Sequence, residues 1–152
     1  MDKLIGLFGV VLIGGIAALG WQMFSPAAAP QGHSMVSPDT AAIPEGALIA
    51  EISLPDDLSA NAKLGKTIFE AACAKCHGKN AAGQNGIAPP LVHKIYEPSH
   101  HSDMAFVLAA QNGVRSHHWS FGDMPSVEGV TQGDVKMIVA YVRELQRANG
   151  IN

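Results

Sequence analysis

The sequence predicts an all-α domain, carried on a tether behind a single apolar span. Three observations predict it. From Leu58 onward apolar residues recur at spacings of three and four, and no segment alternates convincingly as a strand. Prolines and small residues crowd positions 25–57. Residues 4–24 carry no charge at all.

Size and charge bound the function. A chain of 152 residues suits one ordinary domain with length to spare. Its net charge of −3 is too small and too evenly made up for nucleic-acid binding. Between Lys3 and Lys63 there is no basic residue, whereas 58–152 holds nine Lys and Arg against seven Asp and Glu. Two cysteines make no disulfide framework.

The first element, LIGLFGVVLIGGIAALGWQMF, has 21 residues. As a helix it rises about 31 Å, enough for a hydrocarbon core of roughly 30 Å. Trp21, Gln22 and Phe24 fall where an interfacial belt belongs. A cleaved signal peptide is the competing reading, with Ala27-Ala28-Ala29 imitating a cleavage site. Its apolar stretch normally runs only about 7–15 residues. Residues 1–24 are therefore read as an uncleaved transmembrane signal-anchor. With Lys3 ahead of the span, the positive-inside rule puts the rest of the chain on the periplasmic side of the cytoplasmic (inner) membrane.

Residues 25–57 read as the tether. Five of the nine prolines lie here: Pro26, Pro30, Pro38, Pro44 and Pro55. They resist helix and sheet alike, giving a reach of roughly 30 Å as a coil and about 100 Å as polyproline II. Its more apolar middle, AIPEGALIAEISLP, is suited to lying along a domain surface.

Residues 58–152 form the domain. Ser59 is placed to cap ANAKLGKTIFEAACAKC, in which Leu64, Ile68 and Ala71–Ala72 share a face. Ser102 opens a second helix, SDMAFVLAAQNG, and Gly113 closes it. The last begins at Thr131, with Asp134 completing an approximate capping box. Val135, Ile138, Val139, Val142 and Leu145 form its apolar stripe, and Arg143 and Arg147 suit the negative end of its dipole.

Chemistry concentrates in EAACAKCHG. A C-x-x-C pair alone is a weak signal, but Cys73, Cys76 and His77 make C-x-x-C-H. Two thiols at that spacing can form thioethers with haem vinyl groups while the adjacent imidazole reaches the iron. Structural zinc needs two more ligands, for which His117 and His118 are the near candidates. A redox dithiol wants a βαβ setting that this chain lacks. A disulfide remains open but leaves His77 without a role. One covalent haem c is the stronger reading, and its attachment outside the cytoplasm agrees with the anchor.

Met124 is the candidate for the sixth iron ligand. It stands in the loop SFGDMPSVEG, held by Pro125, where a thioether can be aimed rigidly. Met104 and Met137 sit on helices, where core packing accounts for them.

Taken together, GKTIFEAACAKCHG, GIAPPL, Met124-Pro125 and MIVAYV resemble the class I cytochromes c over 58–152, from the first helix to the last. The resemblance implies that Gly65 and Phe69 pack against the last helix, where Tyr141 meets Gly65. It implies that the Pro89 carbonyl accepts the His77 Nδ1–H and that Leu91 packs on the haem. Arg115 and Trp119 would hydrogen-bond its propionates. The implied role is electron transfer, as a carrier or as a subunit of a larger oxidoreductase. The partners expected are a quinol-oxidising complex or dehydrogenase on one side and a terminal oxidase or reductase on the other.

Two other functions stay in view. A haem enzyme or gas-binding module would need Met124 absent or labile. A metal-handling protein would use His93, His100, His101, His117 and His118, with His33 and Met35 of the tether as soft ligands for copper. Lys63, Lys66, Lys75 and Lys79, around the attachment motif, either solvate a helix or steer an acidic partner.

Overall fold

The computed structural model describes residues 35–152. The expected membrane span and His33 lie outside them, as do the first residues of the tether. Among the described residues no helix is long and apolar enough to cross a membrane.

Helix α1 runs over Ala60–Ala72, and the Ser59 hydroxyl accepts from the Ala62 N–H at 3.2 Å, as a cap should. The helical run into the C-x-x-C-H motif does not continue unbroken. The first helix is capped at Cys73 (φ −117°), whose N–H donates to Phe69 O, and a separate turn of helix, α2, covers Ala74–His77. Two 3-10 turns follow, at Lys79–Ala81 and Lys94–Tyr96. Helix α3 is Asp103–Asn112, between Ser102 and a Gly113 with φ of +75°. Helix α4 is Gln132–Ala148, and its N-terminus carries a complete capping box made by Thr131 and Asp134. Strand-type pairing is limited, among the described residues, to isolated bridges.

The core forms where α1 crosses α4. Ala62, Gly65 and Phe69 are the buried residues of α1. They meet Ile138, Tyr141, Val142 and Leu145 of α4, with the Phe69 and Tyr141 rings 5.8 Å apart. Tyr141 thus meets Phe69, and the neighbours of Gly65 are the backbones of Met137 and Ile138. All five residues of the expected α4 stripe are buried.

The expected face of α1 needs correction: Leu64 is half exposed and Ala71 exposed. The buried face is instead the one carrying Gly65 and Phe69, which the resemblance implied. The smaller residue decides the face, because Gly65 allows the closest approach of a second backbone. A smaller cluster joins Val107 of α3 to Val135 and Val139 of α4.

Arg143 and Gln146 are buried rather than serving the helix end. The Arg143 guanidinium pairs with Asp103 at 2.8 Å and donates to the carbonyls of Tyr96 and His101. It also donates to Gln146 Oε1 at 2.6 Å and lies 5.0 Å from the centre of the Phe106 ring. Gln146 Nε2 reaches the carbonyls of Leu91 and Tyr96. These two side chains tie the 91–101 loop to α4.

The folded unit extends upstream of Leu58. Ile49 and Ala50 donate to Gly83 and Ala82, Asn85 holds the Thr40 and Ile43 carbonyls, and Asn149 exchanges hydrogen bonds with Ser53. The apolar middle of the tether is therefore laid along the domain.

Candidate functional site

The attachment motif is held from both ends. Cys76 and His77 donate their N–H groups to the Cys73 carbonyl, starting a turn that Gly78 ends with φ of +72°. The exposed carbonyls at its C-terminus are taken by one side chain, since Gln84 Nε2 donates to Lys75 O at 2.8 Å and to Cys76 O at 3.0 Å. Gly83 then donates to His77 O at 2.7 Å. A Cβ on Gly83 would overlap the backbone of Pro90, so the chain can double back this closely only with glycine there.

That reversal brings Pro89 over the buried His77, whose Nδ1–H donates to the Pro89 carbonyl at 2.9 Å. The bond fixes the tautomer and leaves the Nε2 lone pair as the ligand atom. Burial holds the His77 pKa below the usual histidine range, only partly opposed by the Pro89 carbonyl. The imidazole is thus neutral at pH 7, as a metal ligand must be.

Cys73 and Cys76 are not joined in a disulfide. Burial, reinforced by the neighbouring Cys76, pushes the Cys73 thiol up to about 11. Reactive dithiols have the opposite property, a thiol acidified well below about 8.5. Among the described residues, the group of three or more metal-ligating side chains that comes together contains neither cysteine. His117 and His118 turn instead toward other histidines, so among the described residues the zinc alternative gains no further ligands.

Met124 pairs with Val114, each backbone N–H donating to the other's carbonyl at 2.9 Å. Gly113 backs this loop so closely that a Cβ there would lie 2.6 Å from Met124 O. Met124 is partly buried. Met104, expected in the core, is half exposed on α3, while Met137 is partly buried and gives its carbonyl to the α1 crossing.

Trp119 is buried, and its indole Nε1 has no hydrogen-bond partner. The Tyr96 hydroxyl lies close enough to feel that N–H but is not in hydrogen-bond geometry with it. Leaving such a donor unpaired costs about 1–3 kcal/mol, so the group calls for an acceptor. Arg115 is exposed, with its carbonyl accepting from His117 Nδ1. Leu91 is half-buried against the main core.

These residues fit haem c. Two thiols at vinyl spacing, a neutral imidazole with Nε2 free and a buried indole N–H without an acceptor are the donor set that such a group requires. Fold and site together define a class I c-type cytochrome. A comparison with protein families finds that residues 62–146 match cytochrome c, over more than half of the chain, and the chain belongs to that family. It binds haem c covalently through Cys73 and Cys76. No curated protein matches the chain.

Several residues that shape the site escaped the sequence reading. Gln84, Arg143 and Gln146 act on carbonyls eight or more positions away, and no local pattern marks such residues. The lysines divide into two kinds. Lys63 pairs with Asp57 at 2.8 Å and Lys66 approaches Glu70 at 3.8 Å, whereas Lys75 and Lys79 are exposed beside the motif.

Proposed function

We propose that this chain is a membrane-tethered monohaem electron carrier whose haem iron is held between His77 and Met124. The family establishes haem-based electron transfer. The observation that carries the proposal is the 2.9 Å bond from His77 Nδ1 to Pro89 O, which presents Nε2 in one tautomer and one orientation. When bound, the haem supplies a one-electron Fe(II)/Fe(III) couple.

The protein's contribution is rigidity and ligand choice. Gly113 and Val114 hold the Met124 backbone, and its thioether would serve as the second iron ligand. A thioether stabilises Fe(II) and raises the potential. Two strong ligands leave no open position for substrate, which favours a carrier over an enzyme. The apolar, uncharged stretch 4–24 supports anchoring in the cytoplasmic membrane, with the domain on the periplasmic side. Lys75 and Lys79 offer an exposed positive rim for transient docking of acidic redox proteins. Chemically suited partners are a quinol-oxidising complex or dehydrogenase as donor and a terminal oxidase or reductase as acceptor.

The test is an absorption spectrum of the oxidised holoprotein beside Met124→Ala. Loss of the long-wavelength sulfur-to-iron band, with a lowered potential, is the expected result. A band that survives the substitution would exclude Met124. Rapid CO uptake by the reduced wild type would favour a gas-binding function instead.

A further inference from the structure

We propose that His100, His101 and His118 form a second metal site, separate from the haem, for a divalent first-row ion of the copper(II) or zinc kind. The three come from two distant loops, one leading into α3 and one preceding Met124. Their ligand nitrogens all lie within 4.8 Å of one another.

The closest pair fits coordination. His100 Nε2 and His118 Nε2 are 3.2 Å apart. Two imidazole nitrogens each bound at about 2.0–2.1 Å to a tetrahedral ion stand about 3.3 Å apart. Convergence on one ion would draw on side-chain rotation of His100, which is exposed, and of His118, which is half-buried.

The third ligand is built on a firm base. His101 Nδ1 donates to Ile95 O at 2.7 Å, which leaves Nε2 as the free ligand atom. The carbonyl of the same residue is gripped by buried Arg143, and its ring lies against Tyr96 at 4.9 Å. Such outer hydrogen bonds are what orient metal-binding histidines. His117 flanks the group, its ring 4.3 Å from that of His118. Its Nδ1 is committed to Arg115 O.

The ligand set selects the metal. It consists of imidazole alone, without the carboxylates that calcium and magnesium require or the thiolates that favour monovalent copper. Three nitrogens leave a fourth position for water, and copper(II) should bind more tightly than zinc by the usual order of affinities. The site takes nothing from the haem ligands His77 and Met124, so it goes beyond the electron-carrier function and does not rest on it.

The experiment is a calorimetric titration of chelator-treated holoprotein at neutral pH with zinc chloride, then copper(II) sulfate. The copper complex is also examined by electron paramagnetic resonance. The expected result is one equivalent of each ion bound, with nitrogen hyperfine structure for copper. His100→Ala and His118→Ala should each weaken binding by about ten-fold or more, the scale of losing a ligand or its support. His93→Gln, at a histidine outside the group, should bind like the wild type. An unchanged haem spectrum in each variant shows that the fold survives. Absence of saturable binding would overturn the proposal, and so would an affinity left intact by both His100→Ala and His118→Ala.

Discussion

The backbone of Gly65 lies directly against the Met137 carbonyl, so closely that a Cβ at position 65 would overlap that oxygen and reach 3.0 Å from the Ile138 nitrogen. The contact sets the separation of α1 and α4, and with it the placement of everything carried on either helix. Gly65→Ala must push the helices apart, because the obstacle is backbone and not a side chain that can turn away. A loss of about 1–3 kcal/mol or more is expected, from overpacking that exceeds the gain in helix propensity. Urea denaturation of the holoprotein measures it, and an unchanged midpoint would contradict so tight a crossing.

Arg143 and Asp103 form an unequal pair, with side chains 7 % and 70 % exposed. Removing the exposed partner should matter little: Asp103→Asn is expected to cost less than about 1 kcal/mol, since water screens that end. Arg143→Met strands the His101 carbonyl and Gln146 Oε1, leaves the Tyr96 carbonyl with Gln146 as its donor, and should cost about 2–4 kcal/mol. Equal losses in the two variants would show that the ion pair, and not the carbonyl grip, holds the 91–101 loop to α4.

Gln84 caps the attachment turn through the Lys75 and Cys76 carbonyls, both near solvent. Water can replace part of what is lost, so Gln84→Ala should destabilise the holoprotein by about 0.5–1 kcal/mol. Amide exchange should accelerate in residues 74–78 more than in α4. Uniform acceleration across both would refute a local role.

His93 makes stability depend on pH. Its Nδ1 accepts the Ile95 N–H at 3.2 Å, and its ring packs edge-on against Trp119. Burial holds its pKa below the ordinary value of 6.5. The native state therefore takes up a proton less readily than the unfolded chain does. Stability is full above that ordinary value and falls as pH drops through it toward the lowered native pKa. Protonation also removes the lone pair that Ile95 uses. His93→Gln should flatten the fall in denaturation midpoint between about pH 7.5 and pH 5. An equally steep fall in the variant would assign the effect to other histidines.

Much of the fold was legible because its signals are local. Ser59, Thr131 with Asp134, and Gly113 mark helix ends through hydrogen bonds and backbone angles that span a few residues. The α4 stripe follows from helical period alone. The cysteine spacing with His77 is set by covalent chemistry, so that half of the site could be read without coordinates. The Pro89 contact came from family resemblance, and the 2.9 Å distance gives it a geometry.

By itself, then, the sequence determined the helices, the attachment residues and the kind of cofactor, all of which depend on neighbours along the chain. Tertiary structure alone decided that Arg143 and Gln146 hold a loop, and that His100 and His101 meet His118. Each of those outcomes joins residues from separate segments. Their meeting depends on where the backbones run, and a glycine-sized gap between α1 and α4 sets much of that.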